Sequence, residues 1–395
     1  MSQTGQGHPS YRKVFWSAGF GWMFDAMDVG LLAFIVVKLA TEWGLSPTEK
    51  GLLGTFTTLG MAIGAPIGGY LADRFGRRPI FLFTLVLFGA ASLGSAFSPG
   101  LATMLFFRLI MGLGLGAELP VASTMVNELA PPEKRGRTVV LLESFWAVGW
   151  IIAALFAYFI IPDYGWRTAV IIGAVPIVYA ILIRRSIPES RAVTLQGKVP
   201  LRTIFSHYGR QTAVLWTVWF AIAFSYYGMF LWIPSVLVAK GFTMISSFRY
   251  VLLMTLAQLP GYFVAAWLVE KWGRRPTLAL FLAMTAVWAA LFGASESTTM
   301  LLVSGAFLSF FNLGAWGALY AYTPENYPDD VRASGSGFAS GFGRIGSAIA
   351  PYLVGLLIAN GQSYTLIFGI FTIVLAVGVI VLLAFGRETK ALDKL

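Results

Sequence analysis

The stretch GYLADRFGRRP, residues Gly69–Pro79, decides how this chain folds. It places one acidic and three basic side chains between two long apolar runs, residues 55–72 and 79–97. The four charged residues are Asp73, Arg74, Arg77 and Arg78. A glycine loosens the helical backbone and a proline lacks the N–H that a helix needs, so the end of the stretch interrupts a helix. We therefore expect two helices that turn back on each other, with the charges at a membrane surface.

A second copy of this pattern lies 197 positions later (270 − 73), in EKWGRRP at Glu270–Pro276. The pair Glu128 and Arg135 has the same offset from the pair Glu325 and Arg332. Two separate matches at one spacing predict that the second half of the chain repeats the first.

The composition is that of a membrane protein. Hydrophobic residues make up 57% of the chain and charged residues 12%, against roughly 25% charged in a soluble domain. Many apolar runs reach the ~20 residues that a helix needs to cross the bilayer. With no cysteine, disulfides and thiolate metal sites are excluded, and we expect neither a metal nor a cofactor.

The net charge of +10 reflects membrane orientation rather than a nucleic-acid partner. Of the 28 Lys and Arg residues, 21 lie in alternate loops and in the two tails. Positive loops stay on the cytoplasmic side, so both termini are predicted to be cytoplasmic, in the inner membrane of a cell. The two histidines, His8 and His207, fall in a tail and a loop, which excludes a histidine proton relay inside the bilayer.

The fold predicted is an all-α membrane protein with twelve transmembrane helices in two six-helix repeats. The spans are 15–39, 49–72, 79–97, 101–127, 138–161, 165–186, 211–239, 246–269, 276–294, 298–324, 334–359 and 363–386. The predicted domains are an N-terminal tail (1–14), a first bundle (15–187), a cytoplasmic linker (188–210), a second bundle (211–386) and a C-terminal tail (387–395).

The repeated loop motif in a twelve-span chain resembles the major facilitator superfamily. Arg108-xxx-Gly112-x-Gly114-x-Gly116 resembles the fourth-helix motif of that family, and Pro188-Glu189-Ser190 its sugar-porter signature. The resemblance implies transport by alternating access, in which the two halves rock around a site at the midplane.

A narrower set of segments is similar to bacterial niacin transporters, which are relatives of the synaptic vesicle glycoprotein branch. The segments are Phe24–Gly30, Glu118–Ala122, Glu143–Trp146, Phe224–Gly228 and Asn312–Trp316. The resemblance implies that Trp146, Tyr226, Tyr227 and Trp316 line the central pocket. Helix five lacks the Gly-Pro motif of the drug antiporters, which favours uptake over efflux.

Ionisable residues inside the bilayer are costly, so each needs a partner or a purpose. Asp28 and Arg108 are placed at similar depth on helices one and four, with Asp25 one turn below, and an ion pair is expected. Burial disfavours a charged carboxylate and a nearby arginine favours it, so a pair that opens and closes would switch protonation. A static pair that holds the two helices together is the alternative. Glu118 and Glu143 are further candidates for proton transfer, each about as consistent with a structural role.

The repeated charges at the ends of helices are predicted to act as conformational latches. In the first half these are Asp73, Arg74, Arg77, Arg78, Glu128 and Arg135, and in the second half Glu270, Arg274, Glu325 and Arg332.

Arg344 lies ~15 Å along helix eleven, near mid-membrane, and offers a planar fork that suits a carboxylate. It is predicted to bind an anionic substrate, with a carboxylate of the first half as the alternative partner. Trp146, Tyr226, Tyr227, Trp316 and Tyr320 are predicted to surround a flat ring, which aromatic walls hold by offset or edge stacking. Gln258 and Asn312 are predicted to orient that ring by hydrogen bonds. Ordinary helix packing is the competing interpretation of these aromatic residues.

The function predicted is secondary active, proton-coupled uptake of a small aromatic carboxylate by a monomer, with nicotinate first and nicotinamide second. Other aromatic acids, sugar-like metabolites or drug export by the same fold are the alternatives. A non-transporting binding protein and a membrane enzyme are further classes, the enzyme being disfavoured by the missing thiol, intramembrane histidine and metal-ligand cluster.

Overall fold

The computed structural model describes residues 9–75, 77–129, 135–185, 202–328 and 332–390, and the regular structure in these ranges is helical. The helices are Pro9–Glu42 (α1), Pro47–Phe75 (α2), Arg77–Ser95 (α3), Leu101–Leu129 (α4), Arg135–Phe159 (α5), Ile161–Tyr164 (α6), Trp166–Arg185 (α7), Arg202–Ser206 (α8), Gly209–Phe230 (α9), Ile233–Ala239 (α10), Met244–Leu256 (α11), Gln258–Lys271 (α12), Arg274–Ala294 (α13), Thr298–Glu325 (α14), Arg332–Ala359 (α15) and Tyr364–Phe385 (α16).

Every predicted span coincides with a helix or a helix pair, with ends that differ by a few residues. Among the described residues, eight stretches are long and apolar enough to cross a membrane, with α11 and α12 together forming one of them. The chain is therefore a multi-pass membrane protein.

The seventh and eighth spans were each predicted as one helix, and each is interrupted. The seventh divides into α9 and α10, and the eighth into α11 and α12. Pro234 has no N–H for the carbonyl of Phe230, where α9 ends, and Pro260 has none for Leu256, where α11 ends. The proline ring also clashes with the carbonyl four residues earlier, which gives both breaks a physical cause.

The predicted tails and linker are only partly described. Residues 1–8, 188–201 and 391–395 lie outside the described ranges, and α1 already begins at Pro9, inside the predicted tail. The rest of the linker contains α8, whose Ile204 is buried.

The two halves meet closely where α2 packs on α15. The side of the bundle at which α1 begins and α16 ends is called the terminal side below. Thr55 Oγ1 donates to the Ala348 carbonyl at 2.7 Å, and Thr58 Oγ1 to that of Ser347 at 3.2 Å. A Cβ atom at Gly51 would approach the Pro351 carbonyl oxygen to 2.5 Å. Since α2 starts and α15 ends away from the terminal side, these contacts close the bundle there.

Close packing of α2 on α4 depends on glycine. A Cβ atom at Gly60 would overlap the Leu109 carbonyl oxygen, and one at Gly112 would overlap that of Thr57. Small residues let helix backbones approach in a bilayer, where packing replaces the hydrophobic effect between helices.

A charge cluster lies at the terminal side of the second half. Arg274 Nε lies 3.1 Å from Glu325 Oε2, and its Nη1 lies 3.5 Å from Glu270 Oε2. The carboxylate of Glu388, beyond α16, accepts the backbone N–H groups of Arg274 and Arg275, each at 3.0 Å. Three of the predicted latch residues are thus in contact. The side chains of the others lie outside the described part of the structure: Asp73, Arg74, Arg77, Arg78, Glu128, Arg135 and Arg332.

Candidate substrate-binding cavity

A cavity of about 500 Å³ lies between the two halves, lined by side chains of α1, α5, α9, α12, α14 and α15. Six residues predicted to bind substrate line it: Trp146, Tyr226, Tyr227, Trp316, Tyr320 and Arg344. The lining, aromatic with a few polar groups, is that of a site for a small molecule.

The walls of the cavity are aromatic rings in edge-to-face contact. Trp146 Nε1 donates to the Tyr226 hydroxyl at 2.6 Å, which joins α5 of the first half to α9 of the second. The Tyr226 ring stands at 82° to that of Trp316, with centroids 5.7 Å apart, and Tyr320 meets Trp219 at 84° and 5.0 Å. Rings fixed in this way present both faces and edges to a flat ligand, the arrangements that aromatic pairs prefer.

Arg344 is the cationic group of this cavity. Its side chain is 9% exposed, and it forms no ion pair or hydrogen bond with any described residue. Its charge acts on the hydroxyl groups of Tyr227 and Tyr320. A buried charge without a partner is strongly unfavourable, so the cavity is suited to an anion that supplies one.

Glu143 lies in the same cavity, and its neighbours show that it is away from the charged helix ends. Its carboxyl group is 3% exposed, and Oε1 has no hydrogen-bond partner among the described residues. It acts electrostatically on Tyr262 and Tyr320. Glu143 lies among aromatic side chains inside the bundle.

Asp28 and Arg108 form the expected ion pair outside the central cavity. Arg108 Nη1 lies 3.0 Å from Asp28 Oδ2, and Arg108 Nε donates to Thr57 Oγ1 at 3.0 Å. Arg108 lines a second cavity of about 330 Å³, which shares Tyr226 and Tyr227 with the central one. The pair is therefore separated from the central cavity by these two tyrosines.

Two further acids of the predicted proton pathway are buried. Asp25 is 1% exposed, on α1, and its charge acts on Tyr227. Glu118 is 2% exposed, on α4.

The model of the Major Facilitator Superfamily matches residues 18–261 and 250–394 of the chain. The chain belongs to this superfamily. The Acinetobacter baylyi "Niacin transporter NiaP" is 44% identical over 95% of this chain and 94% of its own length. The Bacillus subtilis "Putative niacin/nicotinamide transporter NiaP" is 52% identical over 96% of this chain and 97% of its own length. The predicted family and its all-α membrane fold are confirmed.

A solved structure of the Escherichia coli xylose transporter XylE, in a partially occluded inward-open conformation, has the same fold. It superposes with a TM-score of 0.79 over 96% of this chain and 99% of XylE, at 18% sequence identity. At that identity the likeness concerns the superfamily fold alone.

Two residues of this chain that were predicted to bind substrate lie outside the cavity. Gln258 and Asn312 are fully buried, and their amide groups have no hydrogen-bond partner among the described residues. Each precedes a cavity residue by four positions, Tyr262 and Trp316 respectively. Both therefore lie on the expected helix face but one turn beyond the end of the cavity, away from the terminal side.

Other lining residues of the cavity were missed, and helical spacing would have found some of them. Ser340 and Ser347 lie four residues before and three after Arg344, and Trp219 lies seven before Tyr226, so each shares a face with a predicted residue. Tyr262 on α12 lies four residues after the predicted residue Gln258, so the same spacing would have found it. Trp22 on α1 shares no such spacing with a residue predicted to bind substrate, and a single aromatic residue in an apolar span usually packs against helices or lipid.

Proposed function

We propose that this chain takes up nicotinate, with nicotinamide as a second substrate, in symport with protons across the cytoplasmic membrane. The observation that carries the proposal is Arg344, a buried guanidinium without a partner in the described structure, inside a cavity walled by aromatic rings. Relatives named as niacin transporters, similar over nearly the whole chain, support the same class of substrate.

Different residues recognise the carboxylate and the ring of the substrate. Arg344 offers its planar fork to the carboxylate, an interaction that is strong because the guanidinium is charged and shielded from water. Trp146, Tyr226, Tyr227 and Trp316 hold the pyridine ring by stacking and edge contacts. Gln258 and Asn312 take no direct part, since they lie outside the cavity.

Proton coupling is assigned to the Asp28–Arg108 pair, with Asp25, Glu118 and Glu143 as the other acids of the pathway. The pair lies on α1 and α4, beside a cavity that shares two tyrosines with the central one. Movement of those tyrosines on substrate binding would change the surroundings of Arg108 and weaken its ion pair with Asp28. Asp28 could then take a proton, because a buried carboxylate without a nearby positive charge favours its neutral form.

Transport by alternating access follows from the position of the cavity between the halves. The α2–α15 contacts close one side, and their separation would open the cavity there. The Glu270–Arg274–Glu325 cluster is a latch for the terminal side. We place the terminal side in the cytoplasm, with bundles at 15–187 and 211–386 in a monomer.

The experiment that tests the function is uptake of radiolabelled nicotinate into proteoliposomes with and without an inward proton gradient. Accumulation driven by the gradient and competed by nicotinamide is expected. Binding without flux would instead identify a binding protein, and competition by sugars or lipophilic cations would identify another substrate class.

A further inference from the structure

The central cavity contains an acid as well as a base, and the two come from different halves of the chain. Glu143 lies on α5 and Arg344 on α15, and both line the same space of about 500 Å³. Their charges both act on Tyr320. A ligand that spans the cavity therefore meets a carboxyl group at one position and a guanidinium at another.

Glu143 has the Trp22 side chain beside it, but its Oε1 has no hydrogen-bond partner among the described residues. It is 3% exposed, and no basic side chain of the described residues forms an ion pair with it. Its charge acts on Tyr262 on α12 and Tyr320 on α14, and Trp22 on α1 is its hydrogen-bonding neighbour. A buried carboxyl oxygen without a hydrogen bond is unfavourable, and a ligand in the cavity could supply the missing partner.

We propose that Glu143 binds the ring nitrogen of a pyridine carboxylate while Arg344 binds the carboxylate of the same molecule. The inference rests on the proposed function and deepens it from aromatic acids in general to acids with a basic ring nitrogen. One proton is shared: either the carboxyl O–H donates to the nitrogen, or the pyridinium N–H donates to the carboxylate. No bond other than this hydrogen bond forms.

Glu143 is then the residue that distinguishes nicotinate from benzoate, which has the same ring size and the same charge. Benzoate presents a C–H in place of the nitrogen and leaves the buried carboxyl group unpaired. Sites built around a hydrogen bond reject analogues that lack its partner, because the polar group of the protein then stays unsatisfied.

The test compares the affinities of nicotinate and benzoate for purified wild-type protein, Glu143→Leu and Glu143→Gln by calorimetry in detergent at one pH. We expect Glu143→Leu to lower the preference for nicotinate over benzoate by about ten- to a hundredfold, through weaker nicotinate binding. Glu143→Gln retains most of the preference, because an amide N–H also donates to a pyridine nitrogen. Picolinate and isonicotinate, equal to nicotinate in size and charge, should differ from it in wild type and become similar to it in Glu143→Leu.

The outcomes distinguish a failure of the proposed role of Glu143 from a failure of the proposed function. An unchanged preference in Glu143→Leu overturns the role of Glu143 and leaves aromatic acid transport intact. If Glu143→Leu binds neither acid, Glu143→Gln decides, and a lost preference in that variant also overturns the inference. Failure of wild type to bind any of these acids overturns the proposed function itself.

Discussion

Arg344→Gln separates recognition of the carboxylate from recognition of the ring. The change removes the charge and leaves a shorter, neutral polar side chain, in a position that is 9% exposed. Nicotinate presents a carboxylate to this position and nicotinamide presents an uncharged amide, while both present the same ring to the aromatic walls.

The magnitude follows from the surroundings of Arg344. A hydrogen bond to a charged group contributes ~1.5–3 kcal/mol, which is roughly ten- to a hundredfold in affinity. Arg344 has no ion pair with a described residue, so the substrate breaks no internal pair when it binds, and the upper part of this range is expected. Nicotinamide should lose less than about threefold, because a glutamine amide can replace a neutral hydrogen bond.

The assay is calorimetry with both ligands on purified wild type and Arg344→Gln. Trp316→Ala is the matched control: it removes a ring that contacts Tyr226 edge-on at 5.7 Å, so both ligands should weaken by similar factors. Equal losses for the two ligands in Arg344→Gln would refute the reasoning. Arg344 would then be structural, and the carboxylate would have to be sought at Arg108.

Three further predictions concern coupling, packing and topology. Asp28→Asn should abolish accumulation driven by a proton gradient while nicotinate binding stays within about an order of magnitude; accumulation that persists would place the coupling residue elsewhere. Gly112→Ala should prevent α2 from packing closely on α4, and the yield of folded protein, measured by size-exclusion chromatography, should fall. The control is Gly341→Ala, at a helical glycine with open space around its Cβ position, which should leave the yield unchanged. Equal yields for the two variants would contradict the packing argument. The chain contains no cysteine, so single cysteines can be introduced at two exposed positions, as His207→Cys and Glu296→Cys. An impermeant thiol reagent should label them from opposite sides of the membrane. Labelling of both from outside would contradict the twelve-span topology.

The membrane makes much of this fold predictable from sequence. A backbone in hydrocarbon must satisfy its own hydrogen bonds, so long apolar runs can only be helices, and the repeat around Asp73 and Glu270 relates the two halves. The missing N–H accounts for the breaks before Pro234 and Pro260, but it did not single them out in the sequence, because Pro324 and Pro351 lie inside unbroken helices.

The sequence indicates which helices, and which faces of them, line the cavity, but it does not indicate the depth in the membrane at which the cavity ends. The resemblance to niacin transporters identified Trp146, Tyr226 and Trp316, which line the cavity. Helical spacing gives the direction in which a side chain points. It does not give the height at which a cavity closes, and one turn of helix, 5.4 Å, is enough to exclude Gln258 and Asn312. That height depends on how the two halves pack against each other.

The same packing places two ionisable groups without an ion pair, Glu143 and Arg344, on opposite halves of one cavity. Glu143 belongs to the first half and Arg344 to the second, and neither forms an ion pair with a described residue. In the proposed binding mode, a substrate with a carboxylate and a basic ring nitrogen would pair with both at once and would favour the state in which the halves are close together. When the halves rock apart, one of the two contacts would lengthen, and the bound molecule would lose part of its binding energy. The proposed site would therefore release its substrate by the same movement that opens the cavity, since a ligand shifts a conformational equilibrium only by its difference in affinity for the two states.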